Sequence, residues 1–481
     1  MFENKNFRLA LIVNLFISIT FLIFTSDNTW VSDDYPYIFG TKLFNLINNQ
    51  TFFIYEFMGS EERFVPLFWF IVQFIPENYF VWHCVVILIF FLTSLIIFEI
   101  TKKITDNNSI SLLTSVLFSL NYSISIKSLS WAIFFGHIFN AFFGFLSVLI
   151  YFSIIKNDKK KNIFLLLYVA SSFVGTLIME TGLIYPLITL LMVFLFNNKK
   201  IIKNFLPILF PTILYISVVF LSTGKFLPIF FERYESSLKS SYSNEIISDT
   251  QSDLYYHRST YAPRNLTGYS LRVFDNILST FNISSLENSL RFYDQDGNLK
   301  NFLKNNIIIF FILFILLLTV FIFLTLKDFM RSKKNSNFLK VLILHIFIFT
   351  IYSFIYFRRD LNIALSFSSA LIIAYLIMHF FDSKKYIISF FIIFLFIFPS
   401  LIYASTKFEY YADFQSKQKL NNIFKQYKIL TENNNLDKNL KSYDNFKYFF
   451  YYKNYNKYKI TLSKYKKLSL QNFEKTFEIR K

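Results

Sequence analysis

Runs of 16 to 25 almost uninterrupted apolar residues recur along this chain, the first from Leu9 to Phe24. Hydrocarbon offers no water to exposed peptide groups, so segments of this length are stable there only as helices. With 54% hydrophobic residues and 67 Phe among 481, but only 9 Gly and 9 Pro, a soluble domain is excluded. The expectation is an all-α protein that crosses a membrane many times. No small-residue cleavage site follows the first run, which is therefore expected to stay as a helix. Cys84 is the single cysteine, so no disulfide can form within the chain.

Eleven spans can be drawn, at 9–24, 80–100, 110–126, 131–155, 163–179, 183–196, 204–222, 306–326, 338–357, 362–381 and 386–404. Alternate connections differ in charge. One set holds seventeen basic residues, among them Lys102, Lys103, Lys159, Lys160, Lys161, Lys333, Lys334, Lys384 and Lys385. The short connections of the other set hold five: Lys42, Arg63, Lys127, Arg358 and Arg359. By the positive-inside rule the first set is cytoplasmic. The same distribution accounts for the net charge of +18 without nucleic acid, because short lysine loops beside spans are topology signals. Phe64–Ile75 is apolar, but 12 residues reach only about 18 Å against a core of about 30 Å. It is expected to be a short helix at the outer surface, since a twelfth span would turn the lysine clusters outward.

This orientation places Asp33, Asp34, Glu61, Glu62, Arg63, Lys127, Glu180, Arg358, Arg359 and Asp360 on the outer face. The expected organisation is a first membrane part over 1–222, with an outer loop over 26–79. An extracytoplasmic loop over 223–305, a second membrane part over 306–405 and an extracytoplasmic tail over 406–481 follow. Alternating stretches such as Tyr458–Leu462 suggest a small α/β unit in that tail. The tail carries 17 Lys/Arg against 7 Asp/Glu, which suits either anionic head groups or a solvated surface.

Trp30-Val31-Ser32-Asp33-Asp34-Tyr35 follows the first span. Two adjacent carboxylates at an interface repel each other and call for a cation, a metal or a chemical role. A helix cap is the structural alternative, and it needs only one acid. Arg358-Arg359-Asp360 puts two arginines in a short outer loop against the charge rule. Arginine's planar fork suits phosphate oxygens, although snorkelling to head groups or pairing with Asp360 would also hold these side chains. Glu180, in Ile178-Met179-Glu180-Thr181-Gly182, joins two short spans. Residues 163–196 supply about 51 Å for two crossings of about 30 Å each, so the turn is expected to lie recessed below the surface. A recessed acid is either functional or part of a buried ion pair. His137, some two turns into the fourth span, reads first as a hydrogen-bonded bundle residue. His257 and Arg264 in the long outer loop are candidates for contact with an acceptor. Asp294-Gln295-Asp296-Gly297-Asn298 lacks the closing Glu of a calcium loop and reads as a turn.

One span, an outer acidic pair, a surface helix and then many more spans: this arrangement resembles the GT-C superfamily of membrane glycosyltransferases, which includes protein O-mannosyltransferases and the aminoarabinose transferase of lipid A. The resemblance covers the architecture of most of the chain, and its motif-like part is Trp30–Pro66. It implies a polyprenyl-phosphate-linked sugar donor and a glycan, lipid or protein acceptor outside the cytoplasm. It further implies a bacterial cytoplasmic membrane with the site facing outward. Asp33 or Asp34 would act as general base or help hold a divalent metal such as Mg or Mn. Arg358, Arg359, Arg63 and Lys127 would be the candidates for the donor phosphate, the resemblance favouring the late pair. Beside the resemblance, Glu180 is placed to contact the acceptor, a metal or Arg358 and Arg359 as a second acid, and His257 and Arg264 could recognise the acceptor. An O-antigen-type polymerase also uses many spans and outer arginines, but its essential charges would be basic. A lipid-linked oligosaccharide flippase would need broken or charged helices at the midplane, where this chain is nearly free of charge.

Overall fold

The computed structural model describes residues 5–25, 65–76, 78–121, 129, 132–156, 161–196, 201–223, 336–354 and 363–409. Among these residues there is no strand. The α-helices are α1 (Lys5–Phe24), α2 (Pro66–Phe74), α3 (Tyr79–Thr105), α4 (Asn108–Ser119), α5 (Phe135–Lys156), α6 (Lys161–Ile178), α7 (Ile184–Phe196), α8 (Ile201–Thr223), α9 (Ser336–Phe354), α10 (Ile363–Asp382) and α11 (Tyr386–Glu409). Short 3₁₀ turns at Ala132–Phe134 and Glu180–Leu183 lead into α5 and α7. Helices α1, α3, α5, α6 and α10 are long and apolar enough to cross a membrane. The described part of the chain is that of an all-α membrane protein. Its outward faces agree with a lipid surrounding: Ile12, Phe16, Ile23 and Phe24 on α1, Leu206 and Leu221 on α8, and Ile387 and Phe390 on α11 are all exposed.

Ten of the eleven expected spans overlap described helices, five of which are long and apolar enough to cross, and 306–326 lies outside the described residues. Three ends differ by five residues or more, one of them that of α3, which continues past residue 100 to Thr105. The span expected over 110–126 is helical only to Ser119, and α11 continues past residue 404 to Glu409. The stop in α4 has a tertiary cause. Ser119 Oγ donates to Asn14 Oδ1 on α1 (2.7 Å), and the chain tightens as Asn121 N–H bonds to Phe118 O (3.2 Å).

Local signals set the other ends. Asn78 caps α3 by accepting from the Phe80 and Val81 amides, and Asn107 caps α4 by accepting from Ser109 and Ile110. Between these helices Asp106 takes the left-handed conformation (φ 51°), tolerated by Asp better than by most residues, and its N–H closes α3 on Lys102 O. Pro66 opens α2, where a missing N–H costs nothing. At nine residues α2 spans about 14 Å and cannot cross the bilayer, as expected for 64–75. It packs on α6 and on the start of α5, with Phe68 stacked on Phe135 at 5.0 Å.

The bundle is organised around α10, which packs against α4, α9, α11 and α5. Of its apolar stretch, 83% is buried, far more than in any other long helix described. Ser366, Ser368, Ser369, Ala364, Ala370 and Ala374 on α10 are all buried, and small residues of this kind let neighbouring helices approach closely. His345 on α9 bonds Ser368 (2.9 Å), and Ser389 on α11 donates to Ile377 O (3.0 Å).

A second polar seam joins α1 to α4. Buried Asn14 donates to Ser115 Oγ (3.3 Å) while accepting from Ser119. Hydrogen bonds between membrane helices are worth about 0.6 kcal/mol on average and up to about 1.7. Asn14→Leu is expected to lower stability by about 1 kcal/mol. Thermal unfolding in detergent measures it; an unchanged midpoint would mean that the seam is filled equally well by an apolar side chain.

Candidate functional site

The helices run between two ends of different chemistry. At one end lie the lysines. Lys102 and Lys103 occupy the last turn of α3, Lys103 Nζ donates to Ser153 Oγ near the end of α5 (3.3 Å), and Lys340 in the first turn of α9 lies over the Phe196 ring that ends α7. Lys384 and Lys385 form the turn from α10 to α11.

The other end gathers the ends of the segments that carry the candidate charges. Thr25 closes α1 by donating its hydroxyl to Phe21 O (2.8 Å), which turns a lone pair toward His83 Nε2 on the first turn of α3. The His83 ring is buried, stacks on Tyr79 at 5.3 Å and also meets the backbone of Leu129. One imidazole thus joins the residue before the Asp33-Asp34 segment to the residue two places after Lys127. Trp82, the residue before His83, donates to Ala132 O (3.4 Å) and packs on Phe135.

Val65, two residues after Arg63, is buried at the start of α2. Three residues on, Phe68 lies where a side chain at Gly136 would be, 2.8 Å from the ideal Cβ position, and Met179 Cγ is 3.1 Å from the same point. The starts of α2 and α5 therefore meet the end of α6, beside Glu180.

Phe145 on α5 then ties this corner to α10, contacting Tyr185 of α7 at 5.1 Å and Phe367 of α10 at 5.3 Å. Gly144 makes room for the Tyr185 ring. Tyr352, near the end of α9, is hydrogen-bonded to the backbone of Ala364 and lies close to Tyr185. The two ends flanking Arg358-Arg359 therefore stand on this side of the bundle as well.

Glu180 is the one proposed site residue that the structure describes. It begins the 3₁₀ turn between α6 and α7, is partly buried, and has its Oε1 atom buried. Helix α7 has thirteen residues, about 20 Å, which is short of a core of about 30 Å. The turn is compact: Gly182 N–H bonds Met179 O at 2.8 Å, and a Cβ at Gly182 would sit 2.7 Å from backbone atoms of Thr176. Asn140 Nδ2 donates both to Met179 O (3.1 Å) and to Thr181 Oγ1, the residues on either side of Glu180. His137 is buried one helical turn from Asn140 on the same face of α5, as a bundle residue would be.

Asp33, Asp34, Arg63, Lys127, His257, Arg264, Arg358 and Arg359 lie outside the described residues. So do the expected α/β tail and the turn at 294–298. Among the described residues no group of three or more His, Cys, Asp or Glu side chains comes together. Sequence reasoning missed His83 and Asn140. Each is a hydrogen-bonding side chain inside an apolar run, within two turns of a helix start, and that position is the signal that would have found them. No protein-family model, curated protein or solved structure matches this chain.

Proposed function

We propose that this chain is an eleven-span glycosyltransferase of the GT-C type. It moves one sugar from a polyprenyl-phosphate carrier to a glycan, lipid or protein acceptor on the outer side of a bacterial cytoplasmic membrane. The observation that supports this most is the gathering of Thr25, Val65, Leu129, Ala364 and the Glu180 turn at the end of the bundle opposite its lysines. Those residues border the segments that carry Asp33, Asp34, Arg63, Lys127, Arg358 and Arg359.

The chemistry needs such a gathering. An acceptor hydroxyl is a weak nucleophile, and a carboxylate within hydrogen-bond reach takes its proton as the new bond to the anomeric carbon forms. Asp33 or Asp34 fills that role. The bond from the anomeric carbon to the carrier phosphate breaks with it, and both of its electrons leave on the phosphate oxygen. That developing anion is stabilised by Arg358 and Arg359, with Arg63 and Lys127 as further cations near the same end. Glu180, His257 and Arg264 hold the acceptor. A single displacement inverts the anomeric carbon. Adjacent carboxylates are also hard oxygen donors suited to Mg or Mn, which would help to hold the donor phosphate.

The direct test is transfer by the purified protein from a panel of polyprenyl-phosphate sugars, followed as release of polyprenyl phosphate. Addition of single sugars supports the reading, whereas joining of preassembled lipid-linked repeats would identify a polymerase instead. Orientation is tested separately, with single cysteines placed at 33 and 160 in a Cys84→Ser background. Impermeant thiol reagents added outside intact cells are expected to label position 33 at least tenfold faster. Equal labelling at both positions would overturn the shared outer site.

A further inference from the structure

Glu180 sits on a turn with little freedom, and its surroundings say what holds it. Asn140, 1% exposed on α5, gives both of its amide hydrogens to that turn, one to the Met179 carbonyl and one to the Thr181 hydroxyl. The Met179 carbonyl also accepts from Gly182, and the Met179 N–H is fixed on Gly175 O (3.0 Å). Residues 179, 181 and 182 are therefore pinned, and with them the backbone on both sides of Glu180. Asn140 Oδ1 is buried with no hydrogen-bond partner among the described residues, 3.6 Å from where a Gly175 Cβ would lie. A side chain kept only to pack α5 on α6 would be apolar, since an unmatched buried acceptor is costly.

We propose that Asn140 is a positioning residue for Glu180: its amide clamps the residues on both sides and so fixes the depth from which the recessed carboxylate projects. This rests on the reading of Glu180 as part of the transfer site. The clamp reaches from one helix to the turn between two others, so any movement of α5 against the α6–α7 pair moves the acid too. The acceptor would be aligned by a backbone turn held in place and not by a freely rotating side chain.

The test keeps position and activity apart. In full-length Cys84→Ser protein, Glu180→Cys is labelled with a membrane-impermeant methanethiosulfonate, with Asn140 retained or changed to Leu. Loss of the clamp is expected to change the labelling rate at least tenfold, while labelling of a cysteine at 160 stays constant. Rates within twofold of each other would overturn the proposal. If Asn140→Leu does not yield folded protein, Thr181→Val removes one arm of the clamp; a threefold change supports it and no change rejects it. In protein that retains Glu180, Asn140→Leu should lower kcat at least thirtyfold with KM within threefold. An equal loss in both the Leu and a Gln variant, with labelling unmoved, would mark a merely structural residue. Absence of transfer from every donor would reject the glycosyltransferase reading and leave the labelling result to decide the clamp on its own.

Discussion

With Asn at both 33 and 34, the protein is expected to insert and accumulate normally and to lose transfer by about 10²- to 10⁴-fold, the usual contribution of a general base. The substitution removes two negative charges and almost no volume. It also separates the two explanations for this acidic pair. Asn caps a helix about as well as Asp, so a capping role predicts that the double variant folds and works. A proton-accepting role predicts that it folds and fails. The single variants then assign the base: the more damaging one marks it, and the milder one marks a residue that holds the phosphate or a metal. If activity depends on Mg or Mn, chelation should mimic the milder variant and readdition should restore it. Full activity in the double variant would sink the site assignment.

Gly182→Val should be the most damaging single change to the described bundle. An added Cβ would lie 2.7 Å from the Thr176 Cα and N atoms, and helix backbone cannot swing aside as a flexible side chain can. The 3₁₀ turn must back away from α6, breaking the bond from Gly182 N–H to Met179 O and stretching the contacts of Asn140. Overpacking of this kind costs about 1–3 kcal/mol and more where backbone must move. We expect a loss of about 3 kcal/mol and a steep fall in folded yield, read by thermal unfolding in detergent. Gly175→Ala is the control. Its nearest neighbours, Phe143 Cβ at 3.3 Å and the Asn140 carbonyl oxygen at 3.4 Å, need to yield by only a few tenths of an ångström as α5 and α6 ease apart, and the expected cost is under about 1 kcal/mol. Equal stability of the Val and parent proteins would refute the close approach.

Much of the bundle was legible in the chain because two simple rules act on it. Apolar length marks the helices, and the short lysine loops order them, so that Lys103, Lys340 and Lys385 share one end of the fold. The brevity of 64–75 was legible for the same reason, since a nine-residue helix cannot reach across the bilayer. The end of α4 was not, because Ser119 stops the helix only through Asn14, 105 residues away. Nor was the partnership of Asn140 with the Glu180 turn, which depends on how α5 lies against α6. Of the candidate site, Glu180 was found from the shortness of its two helices. The position of His83 in an apolar run near a helix start marks it as a polar bundle residue, but its partners Thr25 and Leu129 are 58 and 46 residues away and emerge only when the chain is folded.

The enclosed position of α10 bears on how this protein is made. Membrane helices leave the ribosome in order, and the one that every neighbour leans upon is next to last among the helices described. Until it arrives, the faces of α4, α5 and α9 that will receive it have only lipid or an insertion factor to meet. Chains halted before residue 363 are therefore hollow, and membrane quality control should remove them quickly. A frameshift shortly before codon 363 would accordingly leave no stable fragment, even though most of the helices had already been inserted.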